Sequence, residues 1–135
     1  MGWDYRFSED GPFDVVVTID GVMAPATIEA GRRRLLSDPR FRSGMTVLVD
    51  NSGVDTSSTT ADRLRTIAAS AARDYGGAGV AYLVMLAPQS VTYGLLRMWH
   101  TFLSDELAGR AAVVSSLEEA DAWIGARREA QRPPG

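Results

Sequence analysis

The sequence predicts an α/β domain with a single mixed sheet of about five strands and about four helices. Two N-terminal segments rich in β-branched and aromatic residues flank a turn containing Asp10 and Gly11, which is typical of an antiparallel hairpin. Three further apolar segments then alternate with segments of helical periodicity, the pattern of crossovers that join parallel strands. No internal repeat or linker interrupts the 135 residues, a length that suits one domain.

Each predicted element has a local reason. The uniformly apolar segment Val80–Leu86 indicates a central strand covered on both faces. Pro25 suits the first turn of a helix, and that helix should end before Pro39, because proline disfavours helical geometry in the residue that precedes it. Thr59 is the expected cap of the second helix, and Gly76 with Gly77 is its expected end. The predicted strands are Trp3–Phe7, Phe13–Asp20, Met45–Asp50, Val80–Leu86 and Ala111–Ser115, and the helices are Pro25–Ser37, the segment after Thr59, the segment from Ser90 or Thr92 to about Leu107, and the segment after Ser116.

The pattern also predicts the core and the domain limits. Residues 1–126 form the predicted domain, and residues 127–135 are a frayed polar tail. In the last helix, Trp123 is expected to be largely buried. The glycine at position 94 costs a helix about 1 kcal/mol relative to alanine, which suggests a close neighbour or a ligand there. The apolar stripes of the last two long helices are predicted to be Leu95, Met98 or Trp99, Phe102 and Leu103, and then Leu117, Ala120, Trp123 and Ile124.

Composition excludes several kinds of site. The chain has no cysteine, so disulfides, thiolate metal sites and cysteine nucleophiles are absent. All 14 basic residues are arginine, which excludes Schiff-base lysines and the lysine of a phosphate-binding loop. A single histidine, His100, argues against a histidine metal centre, and no cofactor is expected.

Charge and hydropathy point to a protein of the cytoplasm. The net charge of -3 at pH 7 does not favour nucleic-acid binding. No segment reaches the roughly 18 apolar residues of a membrane span, and the N-terminus lacks the apolar core of a signal peptide. We therefore expect a protein without an integral membrane segment.

One candidate site is the polar segment from Asp50 to Thr60. It follows a predicted strand at the edge of the sheet where α/β proteins usually bind ligands. The hydroxyls of Ser57, Ser58 and Thr59 would lie at a helix N-terminus, where unpaired N–H groups attract anions. With Asp50 and Asp55 they form either a phosphorylation or anion site, or an ordinary set of turn and helix caps.

A second candidate site lies on the third long helix. Tyr93, Arg97 and His100 are spaced i, i+4 and i+7, so they share one face. Together they could bind an anionic ligand or supply an acid and a base. The alternative is a partly exposed polar face.

A cluster of arginines marks the first helix and the loop after it. Successive residues on a helix turn by about 100°, so Arg32, Arg33 and Arg34 cannot all face one way. At least one of them should lie near the core and cover apolar surface with its stem. Arg40 and Arg42 extend the cluster. The cluster either contacts an acidic partner or a phosphorylated ligand, or it is a solvated helix face.

The element order and four strings resemble the STAS superfamily, in particular its SpoIIAA-like branch, over nearly the whole chain. The strings are Leu36-Ser-Asp-Pro-Arg-Phe-Arg-Ser-Gly44, Val47-Leu-Val-Asp50 with Gly53-Val54, Tyr93-Gly-Leu-Leu-Arg-Met-Trp99, and Leu117-Glu-Glu-Ala-Asp-Ala-Trp-Ile124. The resemblance implies a domain that acts mostly in binding and regulation.

In the family's bacterial anti-sigma-factor antagonists, a serine at the start of the helix after the third strand is phosphorylated by a partner kinase. The usual pattern there is aspartate, serine, serine, glycine. This sequence has Asp55-Thr56-Ser57-Ser58 followed by Thr59, so a threonine intervenes and the glycine is absent.

The leading hypothesis is a non-enzymatic STAS-like regulatory or binding module for a protein partner or a small apolar or anionic ligand. Its candidate ligand-binding residues are Asp50, Asp55, Ser57, Ser58, Thr59, Tyr93, Arg97 and His100. One alternative is a phospho-regulated antagonist of an anti-sigma factor that uses Ser57 or Ser58. The other is a small enzyme, of isomerase or cyclase type, with general acid–base groups in a pocket. A homodimer is also compatible with this hypothesis.

Overall fold

The computed structural model describes residues 1–133, and Pro134 and Gly135 of the predicted tail lie outside the described residues. Within that range the chain forms one five-stranded sheet in the order β1-β2-β3-β4-β5. The strands are β1 (Gly2–Phe7), β2 (Val15–Val22), β3 (Thr46–Asp55), β4 (Tyr82–Leu86) and β5 (Ala111–Val114). The helices are α1 (Pro25–Ser37), α2 (Ala61–Ala78), α3 (Ser90–Thr101), the short α4 (Asp105–Ala108) and α5 (Leu117–Ala130).

The sheet confirms the predicted fold class. β1 pairs antiparallel with β2, and every later pair of neighbouring strands is parallel. β4 lies between β3 and β5, and all five of its residues are buried. A uniformly apolar strand has no polar face to offer to water, so an interior position in the sheet is the one that suits it.

The strand order determines how the helices are distributed. The strands follow one another across the sheet, so right-handed crossovers place α1, α2 and α3 on the same face. Side chains of these three helices share one core with the inward residues of β1 to β5. Of the helices in residues 1–133, α5 alone covers the other face, where it packs on β4 and β5. On that face, β1 and β2 expose Asp4, Arg6, Thr18 and Asp20.

β3 begins one residue later than predicted and extends five residues further, to Asp55. The polar residues 51–55, expected to form a loop, continue the strand because they pair with the end of β2. In that extension Gly53 pairs with Asp20 and Val54 with Gly21. Asn51 is consequently buried, with 4% of its surface exposed.

Both ends of α2 differ from the prediction. The helix begins one residue later, since Thr60 is the cap and its Oγ1 accepts a hydrogen bond from the Arg63 N–H at 3.2 Å. The helix also continues through Gly76 and Gly77 to Ala78, and its C-cap is Gly79, whose φ is +74°. A left-handed C-cap requires a residue without a Cβ penalty, and only the third of these closely spaced glycines adopts that conformation.

The third predicted helix is two helices in the structure. α3 ends at Thr101, and α4 begins after Ser104 with two acidic residues in its first turn, Asp105 and Glu106. That sequence is itself a helix start, because negative charge is favourable at the N-terminal end of the helix dipole. The buried residues of α3 are Thr92, Leu96 and Trp99. Of the other predicted residues on this helix, Leu95 is half-buried and Met98 is 40% exposed.

The last helix buries part of the predicted stripe. Ala120 and Ile124 are fully buried, but Leu117 is 57% exposed, so its predicted burial is wrong. Trp123 is half-buried, less than predicted. α5 packs on β4 and β5 at the edge of the sheet, and the indole lines an open groove there. The helix extends to Ala130, so residues 127–130 of the predicted tail are helical.

One of the three successive arginines of α1 is in the core, as expected. Arg32 is 2% exposed, and its Nη1 lies 3.1 Å from both Ser70 Oγ and Asp74 Oδ2. Its guanidinium also lies over the ring of Tyr75, 5.3 Å from the centroid. Arg33 and Arg34 are exposed.

Candidate functional site

A groove of about 370 Å³ follows the outer edge of β5, between α3 and α5. Its lining residues are Tyr93, Arg97, His100, Ala112, Val113, Val114, Glu119 and Trp123. β5 is the last strand of the sheet, so this groove lies beside backbone groups that no other strand of residues 1–133 covers. The groove combines an apolar floor with charged walls.

The wall formed by α3 contains the three residues that the helical spacing had grouped. Arg97 donates from Nη1 to the hydroxyl of Tyr93 at 3.3 Å, and its guanidinium lies 6.0 Å from the centre of that ring. Arg97 is exposed and forms no ion pair with any residue of the range 1–133. The structure thus brings Tyr93, Arg97 and His100 together, and their role in ligand binding stays a prediction.

His100 is held by the backbone. Its Nε2 lies 3.1 Å from the carbonyl oxygens of both Ala108 and Ala111. A carbonyl oxygen only accepts hydrogen bonds, so Nε2 must carry the proton. The ring therefore links the end of α4 to the start of β5, and this nitrogen cannot act as a base.

The backbone of β5 presents one residue to the groove. The Ala87 N–H donates to the Val114 carbonyl at 2.9 Å, so the peptide groups of Val114, and of Ala112 two residues earlier, face the sheet. In a parallel ladder the intervening residue faces the opposite way. The N–H and C=O of Val113 therefore point into the groove, and no hydrogen bond joins them to another described residue.

The outward groups on either side of Val113 are already used. The Ala111 carbonyl accepts the hydrogen bond from His100, and the Ser115 N–H donates to Glu119 Oε2 at 2.8 Å. Side chains from α3 and α5 thus cap the strand edge at both ends. The central residue alone keeps an open donor and an open acceptor among these three positions.

The wall formed by α5 was not identified from the sequence. Ser116 caps this helix by accepting the Glu119 N–H at 3.1 Å, which fixes the first turn and directs the Glu119 carboxylate back to Ser115. Trp123, one turn later, packs edge-on against Tyr82, with 5.7 Å between the ring centroids. The guanidinium of Arg127 lies over the Trp123 ring, 4.8 Å from its centroid. The i, i+4 spacing of Glu119 and Trp123 on the capped helix is the signal that could have grouped them.

The other predicted cluster, from Asp50 to Thr60, does not contribute to this groove. Asp50 accepts hydrogen bonds from the N–H and hydroxyl of Ser52. Asp55 accepts the Ser57 N–H at 2.9 Å, and that bond holds the pKa of Asp55 below its usual value. Ser57 and Ser58 are exposed.

The predicted helix cap at Thr59 has a different role. Its hydroxyl contacts Met23 Sδ at 3.2 Å, while Thr60 provides the cap of α2. None of the residues from Asp50 to Thr60 lines the groove that contains Tyr93, Arg97 and His100.

A small cavity of about 40 Å³ lies inside the main core, between the sheet and α1, α2 and α3. Trp3, Trp99 and Arg32 are among its lining residues. Asn51 also lines it and donates from Nδ2 to the carbonyls of Val49 and Leu86 at 3.1 and 3.3 Å. A water molecule requires roughly 10–15 Å³ of such space, so the cavity has room for only a few waters.

Two further features are absent from residues 1–133. No cluster of three or more histidine, aspartate or glutamate side chains there could hold a metal ion. None of the helices in the same range combines the length and apolar character needed to cross a membrane.

Comparison with known proteins gives one distant structural similarity. No family model and no curated protein matches the sequence. The crystal structure of Sfh5 matches with a TM-score of 0.48 and 10% sequence identity, over 84% of this chain and 46% of that one. The chain thus spans less than half the length of that protein. The resemblance to the STAS superfamily stays a prediction, and the mixed α/β sheet is established by the structure itself.

Proposed function

We propose that the protein is a binding module whose site is the groove along β5, and that its ligand combines an anionic group with an apolar part. The observation that carries this proposal is the position of Arg97. Its guanidinium lies in the groove, exposed and without an ion pair among the described residues, across from the indole of Trp123.

Charge gives the ligand an orientation. Arg97 offers several N–H donors in a planar fork, which suits a carboxylate or a phosphate. Glu119, on the opposite wall, repels an anion. The anionic group of the ligand therefore binds at the α3 wall, and its apolar part contacts Trp123.

The bonding of His100 Nε2 and of the Glu119 carboxylate favours binding over acid–base catalysis. The Nε2 proton of His100 is shared between two backbone carbonyls. The carboxylate of Glu119 accepts the Ser115 N–H. A general acid or base must reach the reacting proton of a substrate, and both groups are engaged in holding the strand edge.

The test is an NMR titration of the ¹⁵N-labelled protein with phenylacetate, and with phenylacetamide as its neutral counterpart. We expect phenylacetate to shift the signals of the Val113 amide and the Trp123 indole, and phenylacetamide to bind more weakly. Arg97→Ala should weaken phenylacetate binding by roughly tenfold or more, since a hydrogen bond to a charged group contributes about 1.5–3 kcal/mol.

Arg65→Ala is the matched control. Arg65 is also exposed on a helix and also lies over an aromatic ring, that of Phe102 at 4.8 Å, but it is outside the groove. Its removal should leave phenylacetate binding unchanged. Equal affinity in the wild type and Arg97→Ala, or shifts confined to residues elsewhere, would show that the groove is not the site.

A further inference from the structure

Besides the side chains of Arg97 and Trp123, the groove contains a backbone donor and a backbone acceptor, the N–H and C=O of Val113, that have no partner among the described residues. A donor and an acceptor of one residue lie side by side, facing the groove, between two capped neighbours. A small anion would satisfy the N–H and leave the carbonyl unpaired. A peptide backbone supplies one acceptor and one donor at the same spacing.

We propose that the occupant of the groove is an extended segment of another protein, which pairs antiparallel with Val113 and places an acidic side chain against Arg97. This inference rests on the proposed function, since it assigns a ligand class to the same groove. Strand addition of this kind obtains affinity from main-chain hydrogen bonds and specificity from the side chains at alternate positions.

An antiparallel ligand fits Val113 because a single ligand residue can form both hydrogen bonds with it. In the hydrogen-bonded pair of an antiparallel ladder, two opposed residues exchange both of their N–H···O bonds. A parallel ligand would spread the same two bonds over residues on either side of the one opposite Val113. The single pair suits an edge where the Ala111 carbonyl and the Ser115 N–H are occupied.

The alternation of side chains then defines the sequence of the ligand. The Val113 side chain lies on the α3 side of the sheet, and those of Ala112 and Val114 lie on the α5 side. The ligand residue opposite Val113 therefore projects towards α3 and Arg97, where an acidic side chain is favourable.

The two flanking ligand residues project towards α5. Because α5 follows β5 and runs back along it, Glu119 lies near the end of the strand and Trp123 near its start. In an antiparallel ligand, the residue after the acidic one lies opposite Ala112 and contacts Trp123, so it is apolar. The residue before it lies opposite Val114 and near Glu119, so it is not acidic.

The experiment measures the binding of acetyl-Thr-Val-Glu-Phe-Thr-amide by calorimetry. Replacing the peptide's glutamate by glutamine should weaken binding about tenfold, through the lost contact with Arg97. Methylation of the glutamate backbone nitrogen removes the donor to the Val113 carbonyl and should also cost about tenfold. Methylation of the phenylalanine nitrogen, which points away from β5, is the control and should have little effect.

A variant of the protein tests the other hydrogen bond. Val113→Pro removes the N–H that faces the groove, and proline is tolerated on an edge strand where its nitrogen faces away from the sheet. We expect about a tenfold loss of peptide affinity relative to Val113→Ala, which also loses the valine side chain but keeps the N–H. Should Val113→Pro fail to fold, the pair of methylated peptides still decides the matter.

The outcomes separate this inference from the function on which it rests. The strand pairing is overturned if methylation of the glutamate nitrogen does not weaken peptide binding, or if methylation of the phenylalanine nitrogen weakens it equally. In either case, binding of phenylacetate would still identify the groove as the site. Binding of neither probe rejects both proposals. A wild-type dimer whose interface protects the Val113 amide from hydrogen exchange would identify a second copy as the occupant and overturn this assignment.

Discussion

At the residue scale, Asp38 joins the end of α1 to the first strand and to the loop that follows. Its carboxylate accepts hydrogen bonds from Arg40 Nε and Nη2, at 3.1 and 2.9 Å, and from the Tyr5 hydroxyl at 2.9 Å. The side-chain bonds from Arg40, followed by its backbone N–H, hold the pKa of Asp38 well below its usual range. The same contact raises the pKa of Tyr5, because its hydroxyl donates to a carboxylate.

This contact predicts a pH dependence of stability. Since the pKa of Asp38 is lower in the folded state, its contribution is fully present above the unfolded value of about 3.9. The contribution is lost as the pH falls below that value and through the folded pKa. We therefore expect the difference in unfolding free energy between wild type and Asp38→Asn to be constant from pH 7 to 5 and to shrink below about pH 4.

Urea unfolding at these pH values is the measurement. Tyr5→Phe removes one of the donors and should reduce the difference without abolishing it, because Arg40 remains. A difference between wild type and Asp38→Asn that persists unchanged to pH 2.5 would contradict the prediction.

Two helical glycines give opposite predictions. Gly31 is buried on α1, and a Cβ added there would clash with the indole of Trp3. We expect Gly31→Ala to destabilise the fold by about 1–3 kcal/mol, the usual cost of overpacking. A Cβ at Gly94 would meet no atom within 4 Å, so Gly94→Ala should stabilise α3 by up to about 1 kcal/mol.

Thermal and urea unfolding of both variants check this pair. If Gly94→Ala instead lowers the stability, the added methyl group must meet an atom that does not belong to this chain. The protein's own atoms do not explain why position 94 is glycine, and the sequence-based expectation of a close intramolecular neighbour is wrong. A glycine within a helical pattern therefore does not by itself identify a close contact.

At the scale of single elements, the segment before α2 separates a binding module from a phosphorylated antagonist. Ser57 and Ser58 are exposed, so a kinase could reach them. However, the Asp55 carboxylate already accepts the Ser57 N–H, and Asp62 adds a second negative charge in the first turn of the helix. A phosphate of about -2 charge would be repelled by both.

We therefore expect no stoichiometric phosphate on Ser57 or Ser58. Phosphopeptide mapping of the protein purified from its native cell is the measurement. Complete phosphorylation of either serine, together with altered partner affinity in the Ser57→Asp or Ser58→Asp variant, would support the antagonist hypothesis over the binding module proposed above.

The elements that sequence patterns predicted well are those whose signals are local and unambiguous. Pro25 and Pro39 delimit α1, and the uniform apolar character of β4 specifies an interior strand. The errors occur where tertiary pairing overrides composition. The polar residues 51–55 belong to β3 because β2 lies beside them, and nothing in their own sequence favours a strand.

At the scale of the whole molecule, the groove requires two helices from opposite faces of the sheet. α3 covers one face and α5 the other, and they meet only around the edge of β5. Helical spacing was sufficient to group Tyr93, Arg97 and His100 on one side of α3. It could not add Glu119 and Trp123, because their position depends on the strand order, which a local pattern does not contain.

Both outer strands carry backbone caps provided by side chains. On β1, Arg34 Nη2 donates to the Trp3 carbonyl at 2.6 Å. On β5, His100 and Glu119 occupy the outward groups on either side of Val113. An uncapped strand edge is a template for pairing with another chain, and such caps limit that pairing.

Removing the cap at the end of β5 should therefore promote self-association. Glu119→Ala releases the Ser115 N–H and lengthens the open edge beyond Val113, and it lowers stability by about 1 kcal/mol through the loss of a capping interaction. Sedimentation velocity over a range of concentrations should show more association than in the wild type. Glu118→Ala removes the same charge from the same helical turn but makes no contact with the edge, so it should sediment like the wild type. If Glu119→Ala also sediments like the wild type at every concentration, the carboxylate does not protect this edge, and its contact with Ser115 only anchors the start of α5.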